Sequence, residues 1–366
     1  MCPLDWGLGH ASRMIPVISL FLDCGANVIL GGSGRSGQLL KTTFPQLFFL
    51  TIPAPVIRYS HSRFTIPALL WQFPRMLASV FTEHRMLAQI IQRYKVDIVI
   101  SDNRYGLFSR RAYTIFVTHQ LSPVMPVFLK WTEYPIYRII KTIIGRYNEC
   151  WIPDFADSGD NLTGKLSHRF KLPSNARFIG ILSRFTKGSD EKEEHAGYDM
   201  VVVLSGPEPQ VSIFEKMILV QLYKKSVKTL IINGMRVPST NTVTSSDITV
   251  VSHLREEEFR KVLIQAGEIV CRSGYSGIMD LVALGRSALL VPTPGQSEQQ
   301  YLAKYLCERK LFDWIKQDKL STVVFPVKRL PVSTAFSAGV CFNKTDAYRV
   351  LQKENHKNCK ISDKEP

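Results

Sequence analysis

Cysteine is scarce and scattered in this 366-residue chain: the seven, at positions 2, 24, 150, 271, 307, 341 and 359, form no close pair. That spacing excludes a disulfide framework and a Cys-based zinc site, and it fits a reduced, cytoplasmic compartment. No stretch approaches the roughly 18–20 apolar residues needed to span a bilayer. The opening residues do not read as a signal peptide, because Asp5 and a glycine cluster stand where an apolar core belongs. Acidic residues are in deficit, 31 against 46 Lys and Arg, which leaves a formal net charge of +15. Such an excess favours anionic partners: phosphate-bearing ligands, nucleic acid or an acidic membrane surface. Nucleic acid is set aside, because the basic residues are dispersed and no recognition motif for it is present.

What is present is an ordinary globular composition, 45% hydrophobic and 21% charged, in a chain long enough for two cores. Apolar strand-like runs alternate with helix-like stretches, the pattern of an α/β protein with parallel sheets. Strands are expected at 27–30, 47–52, 96–100 and 113–118, with helical spacing over 75–94. After Gly180 the character changes: Ser183 to Gly197 is polar and charged, a linker composition. A second series then begins at Met200, with strands expected at 200–204, 229–232, 248–251, 268–271 and 288–291. The reading is a domain over 1–182, a linker over 183–198, a second domain over 199–345 and a polar, frayed tail over 346–366. The first strand is nearly missing ahead of the Gly7-Leu8-Gly9 loop; either it is abbreviated or the chain lacks residues at its beginning.

Three loops could carry chemistry. Gly7-Leu8-Gly9-His10 is a tight turn entering a helix, where glycine permits close backbone approach and His10 suits a general base. Cys271-Arg272-Ser273-Gly274-Tyr275-Ser276 is a strand-to-helix turn whose free N–H groups form an anion site, with Asp280 a turn further on as a ribose partner. Leu290-Val291-Pro292-Thr293 leads to Glu298, Gln299 and Gln300, side chains able to hydrogen-bond sugar hydroxyls. Taken singly, the first and third of these read more readily as ordinary turns and helix starts, and the second divides almost evenly between an anion site and an N-cap.

Together, Cys271-Arg272-Ser273-Gly274, Asp280-Leu281, Ala283-Leu284-Gly285, Leu290-Val291-Pro292 and Gln299-Gln300-Tyr301 resemble the donor-binding half of the MurG-type glycosyltransferases (glycosyltransferase family 28, carboxy-terminal domain). The Trp6-Gly7-Leu8-Gly9-His10 start resembles the amino-terminal loop of that superfamily and of bacterial glycosyltransferase-related proteins. The resemblance implies a GT-B architecture of two Rossmann-like α/β domains, the first on the acceptor side and the second binding a nucleotide sugar. It implies an inverting transfer of a hexose, such as N-acetylglucosamine, from a UDP-sugar to an acceptor hydroxyl, with no cofactor beyond that co-substrate. His10 and Asp102 are the candidate bases; Gly7, Gly9, Asn103, His119 and Gln120 are the acceptor-side loop residues. Gly206, Arg272, Ser273, Gly274, Ser276, Asp280, Glu298, Gln299 and Gln300 are the donor-side residues, with Arg13 or Arg184 as further helpers at the diphosphate. The chain departs from the family at Asp280, where a longer acid is usual, and at Gly206-Pro207-Glu208-Pro209, whose prolines remove N–H donors. No Asp-x-Asp pair that would hold a metal on the diphosphate occurs, so the expected transfer is metal-independent.

Basic residues interleave with aromatics at Arg58, Arg63, Phe64, Trp71, Phe73, Arg75, Phe81, Arg85 and Arg93, and at Lys130, Trp131, Tyr134, Tyr137, Arg138, Lys141 and Arg146. Such faces suit a peripheral contact with an anionic membrane at the inner face of the cell, or an acceptor that is lipid-linked or a glycan. Two other readings stay open: a non-catalytic or truncated sugar-nucleotide-binding relative, and a UDP-sugar epimerase on the same architecture.

Overall fold

The computed structural model describes residues 1–53, 65–157, 159–185, 197–223, 226–234, 247–252, 254–323, 325 and 342–362; for 65–77, 127 and 354–362 it describes the backbone alone. The chain divides into two units, Met1–Arg184 with Gly339–Pro366, and Phe185–Ala338. Most of the expected linker, 186–196, lies outside the described residues, as do Arg58, Arg63 and Phe64 and the side chains of Trp71, Phe73 and Arg75.

The first unit runs β1 (Cys2–Pro3), α1 (Leu8–Asp23), β2 (Ile29–Gly32), α2 (Gly34–Thr43), β3 (Phe48–Thr51), α3 (Thr65–Tyr94), β4 (Ile98–Asp102), β5 (Tyr113–Val117), α4 (Glu133–Ile144), β6 (Glu149–Ile152), α5 (Lys165–His168) and β7 (Ala176–Phe178). All its strand pairs are parallel, in a five-stranded sheet β1-β4-β5-β6-β7 and a two-stranded sheet β2-β3. Every residue of β5 and β6 is buried, as expected where helices cover both faces of a parallel sheet. β1 spans two residues and joins the two sheets. The Met1 ammonium donates to Ile29 O at 2.7 Å and Gly31 N–H donates to Met1 O at 2.8 Å, while Leu4 N–H donates to Asp102 O at 3.0 Å. The strand sequence across the unit is therefore β3-β2-β1-β4-β5-β6-β7.

The second unit runs β8 (Met200–Val203), α6 (Gln210–Leu222), β9 (Thr229–Ile232), β10 (Ile248–Val251), α7 (Glu256–Gln265), β11 (Glu268–Cys271), α8 (Tyr275–Ala283), β12 (Leu289–Leu290), α9 (Ser297–Glu308) and β13 (Asp313–Trp314). Its six strands are parallel in the order β10-β9-β8-β11-β12-β13. Met200, Val202, Phe214, Ile218, Ile231, Val270, Leu289 and Val291 form its core, with α6 and the alternate strand residues supplying one continuous apolar layer.

The segment expected as a polar tail is instead helix α10 (Lys344–Ser362), and its first half packs on the first unit. Ala347 and Val350 are buried, Phe342 packs on Trp151 and Phe21, and Arg349 and Lys353 reach Glu149 at 3.0 and 2.8 Å. Glu149 also accepts from Tyr113 Oη and Trp151 Nε1, each at 2.7 Å. Burial alone would push its carboxyl up, but these donors outweigh it and hold the group at about 2. Among the described residues no helix is long and apolar enough to cross a membrane, and Cys2, Cys24, Cys150, Cys271 and Cys307 form no disulfide.

Candidate active site

In an open parallel sheet whose strand order reverses, the loops leaving the two strands at the reversal part and form a crevice at their carboxyl ends. In the first unit that point lies between β1 and β4; the loop after β1 ends at Gly7, and Gly9 and His10 stand on the first turn of α1. Gly7 caps α1 with φ 110°, a backbone region glycine enters without strain. Its carbonyl accepts from Ser36 Oγ at 2.8 Å, and Asp5 Oδ1 accepts the Ser36 N–H at 3.1 Å, so the loop is tied to the start of α2.

His10, on the first turn of α1, meets Asp102, the last residue of β4: Nδ1 lies 3.3 and 3.2 Å from the two carboxylate oxygens. Arg13, one turn along the same helix face, completes the group. Its Nε donates to Asp102 Oδ2 at 2.7 Å, Nη2 forms an ion pair with Oδ1 and lies 2.9 Å from His10 Nδ1, and Nη1 lies 3.0 Å from His119 Nδ1. Asp102 and Arg13 are fully enclosed, and His119, just beyond β5, is buried. Asn103 turns the chain with φ 53° and donates its N–H to Val117 O; Gln120 donates its N–H to Thr118 Oγ1 at 3.1 Å. The five residues expected on the acceptor side thus gather at one end of the sheet. Arg13, expected as a helper at a diphosphate, is committed instead to Asp102 and the two histidines; its i, i+3 spacing from His10 was the available signal.

The electrostatics follow from this packing. Burial favours a protonated Asp102, but Arg13 and His10 outweigh it and hold the carboxyl down at about 2. Burial lowers the His10 pKa, Asp102 opposes this, and Arg13 reinforces it, with a net downward shift. His10 is therefore neutral at pH 7. Each neutral tautomer satisfies one of the two Nδ1 contacts: a proton on Nδ1 given to Asp102 leaves Nε2 as a free base, whereas an Nδ1 lone pair accepting from Arg13 leaves the proton on Nε2.

In the second unit the order reverses between β8 and β11, and the loops after these strands are those containing Gly206 and Arg272-Ser273-Gly274. Gly206 has φ 113°, and a Cβ there would lie 3.8 Å from Thr293 Oγ1. Thr293, which the sequence reading placed in the third loop without giving it a role, is buried, and its hydroxyl has no hydrogen-bond partner among the described residues. Gly274 precedes α8; its φ of −74° is ordinary and a Cβ on it would meet nothing within 4 Å. Neither strain nor packing requires glycine at that helix start. Ser273 Oγ donates to Gln299 O at 2.8 Å, fixing the start of α9 to the loop. Ser276 lies on the first turn of α8, and Asp280 is buried on the second. Glu298 and Gln300 open α9, with Gln300 exposed.

Two expected ligand residues are occupied by the protein itself. Arg272 is buried, donates to Val291 O at 3.1 Å and Gln210 O at 2.8 Å, and lies 4.2 Å over the Phe214 ring; burial lowers its pKa to about 10. Gln299 Oε1 accepts the Thr293 N–H at 2.9 Å and its Nε2 donates to Gln296. Both brace loops around the crevice.

No family model matches the chain, and no curated protein matches it. Solved structures do. The spinosyn rhamnosyltransferase SpnG superposes with a TM-score of 0.62 at 11% identity, over 97% of this chain and 95% of that one. CalG4, the calicheamicin glycosyltransferase, gives 0.60 at 12% identity over 98% and 97%. The Arabidopsis thaliana enzyme UGT89C1, solved with UDP-L-rhamnose, gives 0.55 at 13% over 97% and 92%. The chain therefore has the GT-B glycosyltransferase fold, two parallel-sheet units each with its own switch point.

Proposed function

We propose that the protein is an inverting glycosyltransferase that moves a hexose from a nucleoside diphosphate sugar to an acceptor hydroxyl. The observation that carries the reading is the neutral His10 held against Asp102 at a switch point of the GT-B fold. In the proposed step Nδ1 of His10 donates to Asp102 and Nε2 takes the acceptor proton. The acceptor oxygen bonds to the anomeric carbon as the bond from that carbon to the diphosphate oxygen breaks, and the electron pair leaves with the nucleoside diphosphate. Charge on the departing diphosphate is met by the amides at the start of α8, where Gly274 leaves room for close approach. Asp280 serves the ribose and Ser276, Glu298 and Gln300 the donor. The absence of an Asp-x-Asp pair makes the reading metal-independent. Uracil is the favoured base by resemblance, and the thymidine diphosphate bound to SpnG makes thymidine the comparison.

The test is thermal stability across nucleotides and sugar nucleotides, followed by assay of nucleoside diphosphate release with acceptor panels and EDTA. A ligand at a hundredfold its Kd should add about 2.7 kcal/mol, and EDTA should change nothing. No shift with any nucleotide would sink the reading. Binding without transfer would identify a non-catalytic relative, and product from donor alone an epimerase.

The membrane contact is proposed for the turn Val127–Thr132 and α4. Phe128 and Trp131 are 72% and 73% exposed, Tyr134 and Ile139 are also exposed, and Lys130, Arg138 and Lys141 lie on the same segment. Aromatics beside cations on a surface helix suit an anionic bilayer and a lipid-linked acceptor. Co-sedimentation with phosphatidylglycerol vesicles should fall in F128S/W131S; equal binding by parent and variant would remove the proposal.

A further inference from the structure

A cavity of about 570 Å³ opens in the first unit between α3, the loop joining β4 to β5, and the carboxyl end of α4. It lies away from the His10 group: Arg111 sits just before β5 and Arg146 just before β6, at the amino ends of strands in the parallel sheet, whereas Asp102 ends β4 and His119 follows β5, at the opposite, carboxyl ends. Three guanidinium groups line it, from Arg110, Arg111 and Arg146, and no carboxylate does. No ion pair neutralises any of the three among the described residues. Cations gathered on one cavity of a protein with net charge +15 repel one another until an anion enters.

The walls are built rather than draped. Arg104 is buried and bonded to Glu83 of α3 at 2.9 Å, and the Gly106 N–H donates to the same carboxylate at 3.2 Å. A Cβ on Gly106 would come within 2.4 Å of Val80 O, so the loop can approach α3 only with glycine there. Phe108 stacks on His84 at 4.3 Å and packs edge-on to the buried Tyr147, while the Arg146 guanidinium lies 5.1 Å from the same ring. Ser109 Oγ accepts the Arg111 N–H at 3.1 Å, which orders the turn and leaves the hydroxyl proton to donate. His84 Nδ1 is shielded from solvent without a hydrogen-bond partner among the described residues. The last carbonyls of α4 are occupied, Lys141 O by Gly145 N–H and Ile144 O by Asn175 Nδ2, which limits their opposition to an anion.

We infer that this cavity binds a phosphorylated small molecule carrying two or more negative charges, at a second site separate from the sugar-transfer centre. Guanidinium forks match phosphate oxygens in pairs, three cations suit a phosphomonoester dianion or a diphosphate, and the volume holds a ligand of sugar-phosphate or nucleotide size.

The test is calorimetric titration of the full chain with inorganic pyrophosphate, at low and at high salt. The parent, H10A and D280A should each show the site, and R110A/R111A should lose it or bind about tenfold weaker or worse. R110K/R111K, with its charges kept, should recover part of the affinity, and high salt should weaken binding. Because pyrophosphate can also enter a donor site, a stoichiometry reduced by one in R110A/R111A counts as support. Equal affinity and stoichiometry in parent and R110A/R111A, both folded by circular dichroism, would overturn the proposal. So would arginine-dependent binding to phosphatidylglycerol vesicles with no response to pyrophosphate, which would assign the arginines to a lipid surface.

Discussion

His10 and Asp102 stand 92 residues apart in the chain and meet at 3.2 Å, with Arg13 bonded to Asp102 and its Nη2 2.9 Å from His10 Nδ1. The shared carboxylate orients the ring, while burial and Arg13 keep it uncharged at neutral pH, which is what a general base for a hydroxyl requires.

Removing the base tests this arrangement directly. His10→Gln should lower kcat by about 10²–10⁴-fold and leave the nucleotide-induced rise in Tm intact. Turnover within a few-fold of the parent would mean that His10 does not take the proton.

Arg13 sets both stability and pH response. Arg13→Met strands the buried Asp102 charge and should cost about 3–5 kcal/mol, read in urea unfolding. It also removes a cation that depresses the His10 pKa, so the acid limb of kcat/KM should move to higher pH in the folded fraction. An unmoved limb would show that Arg13 does not act on the His10 titration.

The pH dependence of stability carries a definite sign. Asp102 titrates at about 2 against an ordinary 3.8, and His10 lies below its ordinary 6.5. Between the folded and unfolded values the unfolded chain binds more protons, so both groups stabilise at higher pH and lose this as pH falls. The His10 contribution fades first, below 6.5, and the Asp102 contribution between 3.8 and about 2. Unfolding midpoints that rise on acidification through pH 6 would contradict the described environment.

Glu149 fastens α10 to the first unit through Arg349 and Lys353. Glu149→Ala should destabilise by about 3 kcal/mol, the low end for breaking a buried pair whose partners reach solvent. Amide exchange in α10 should quicken more than in β5. Uniform quickening across the unit would mean that Glu149 supports the sheet generally and not the helix.

Thr293 separates stability from binding. Its buried hydroxyl has no partner among the described residues, so Thr293→Val should leave Tm equal or raise it. If the hydroxyl meets the donor, nucleoside diphosphate Kd should rise about fivefold or more. An unchanged Kd would remove Thr293 from the donor site.

Much of the fold was legible locally. Strands β4, β5, β8, β9, β10 and β11 announce themselves because buried parallel strands demand runs of Val, Ile and Phe closed by small residues, and those runs stand in the sequence at nearly the observed limits. Gly7 and Gly206 stand at the two switch points in the left-handed region that glycine enters without strain, whereas Gly274 is under no such constraint. Strands β6 and β7 were missed: Glu149-Cys150-Trp151-Ile152 places a glutamate in a fully buried strand, tolerable only because Tyr113, Arg349 and Lys353 reach it from elsewhere. The i, i+3 spacing places Arg13 beside His10 but does not say whether it faces a ligand or Asp102, and nothing local says whether Arg272 and Gln299 brace loops or contact sugar, or whether a polar carboxy-terminal segment frays or docks. Except for Gln299, whose partners lie 3 and 6 residues away, those outcomes depend on partners brought from 19 to 204 residues away, and only the assembled sheet supplies them. The sequence alone determined the α/β class, the two parallel-sheet series and the loops at their switch points, because periodicity and turn chemistry act over a few residues. Tertiary structure decided which charged side chains remain for chemistry, because burying a charge is affordable only where its counterpart already stands.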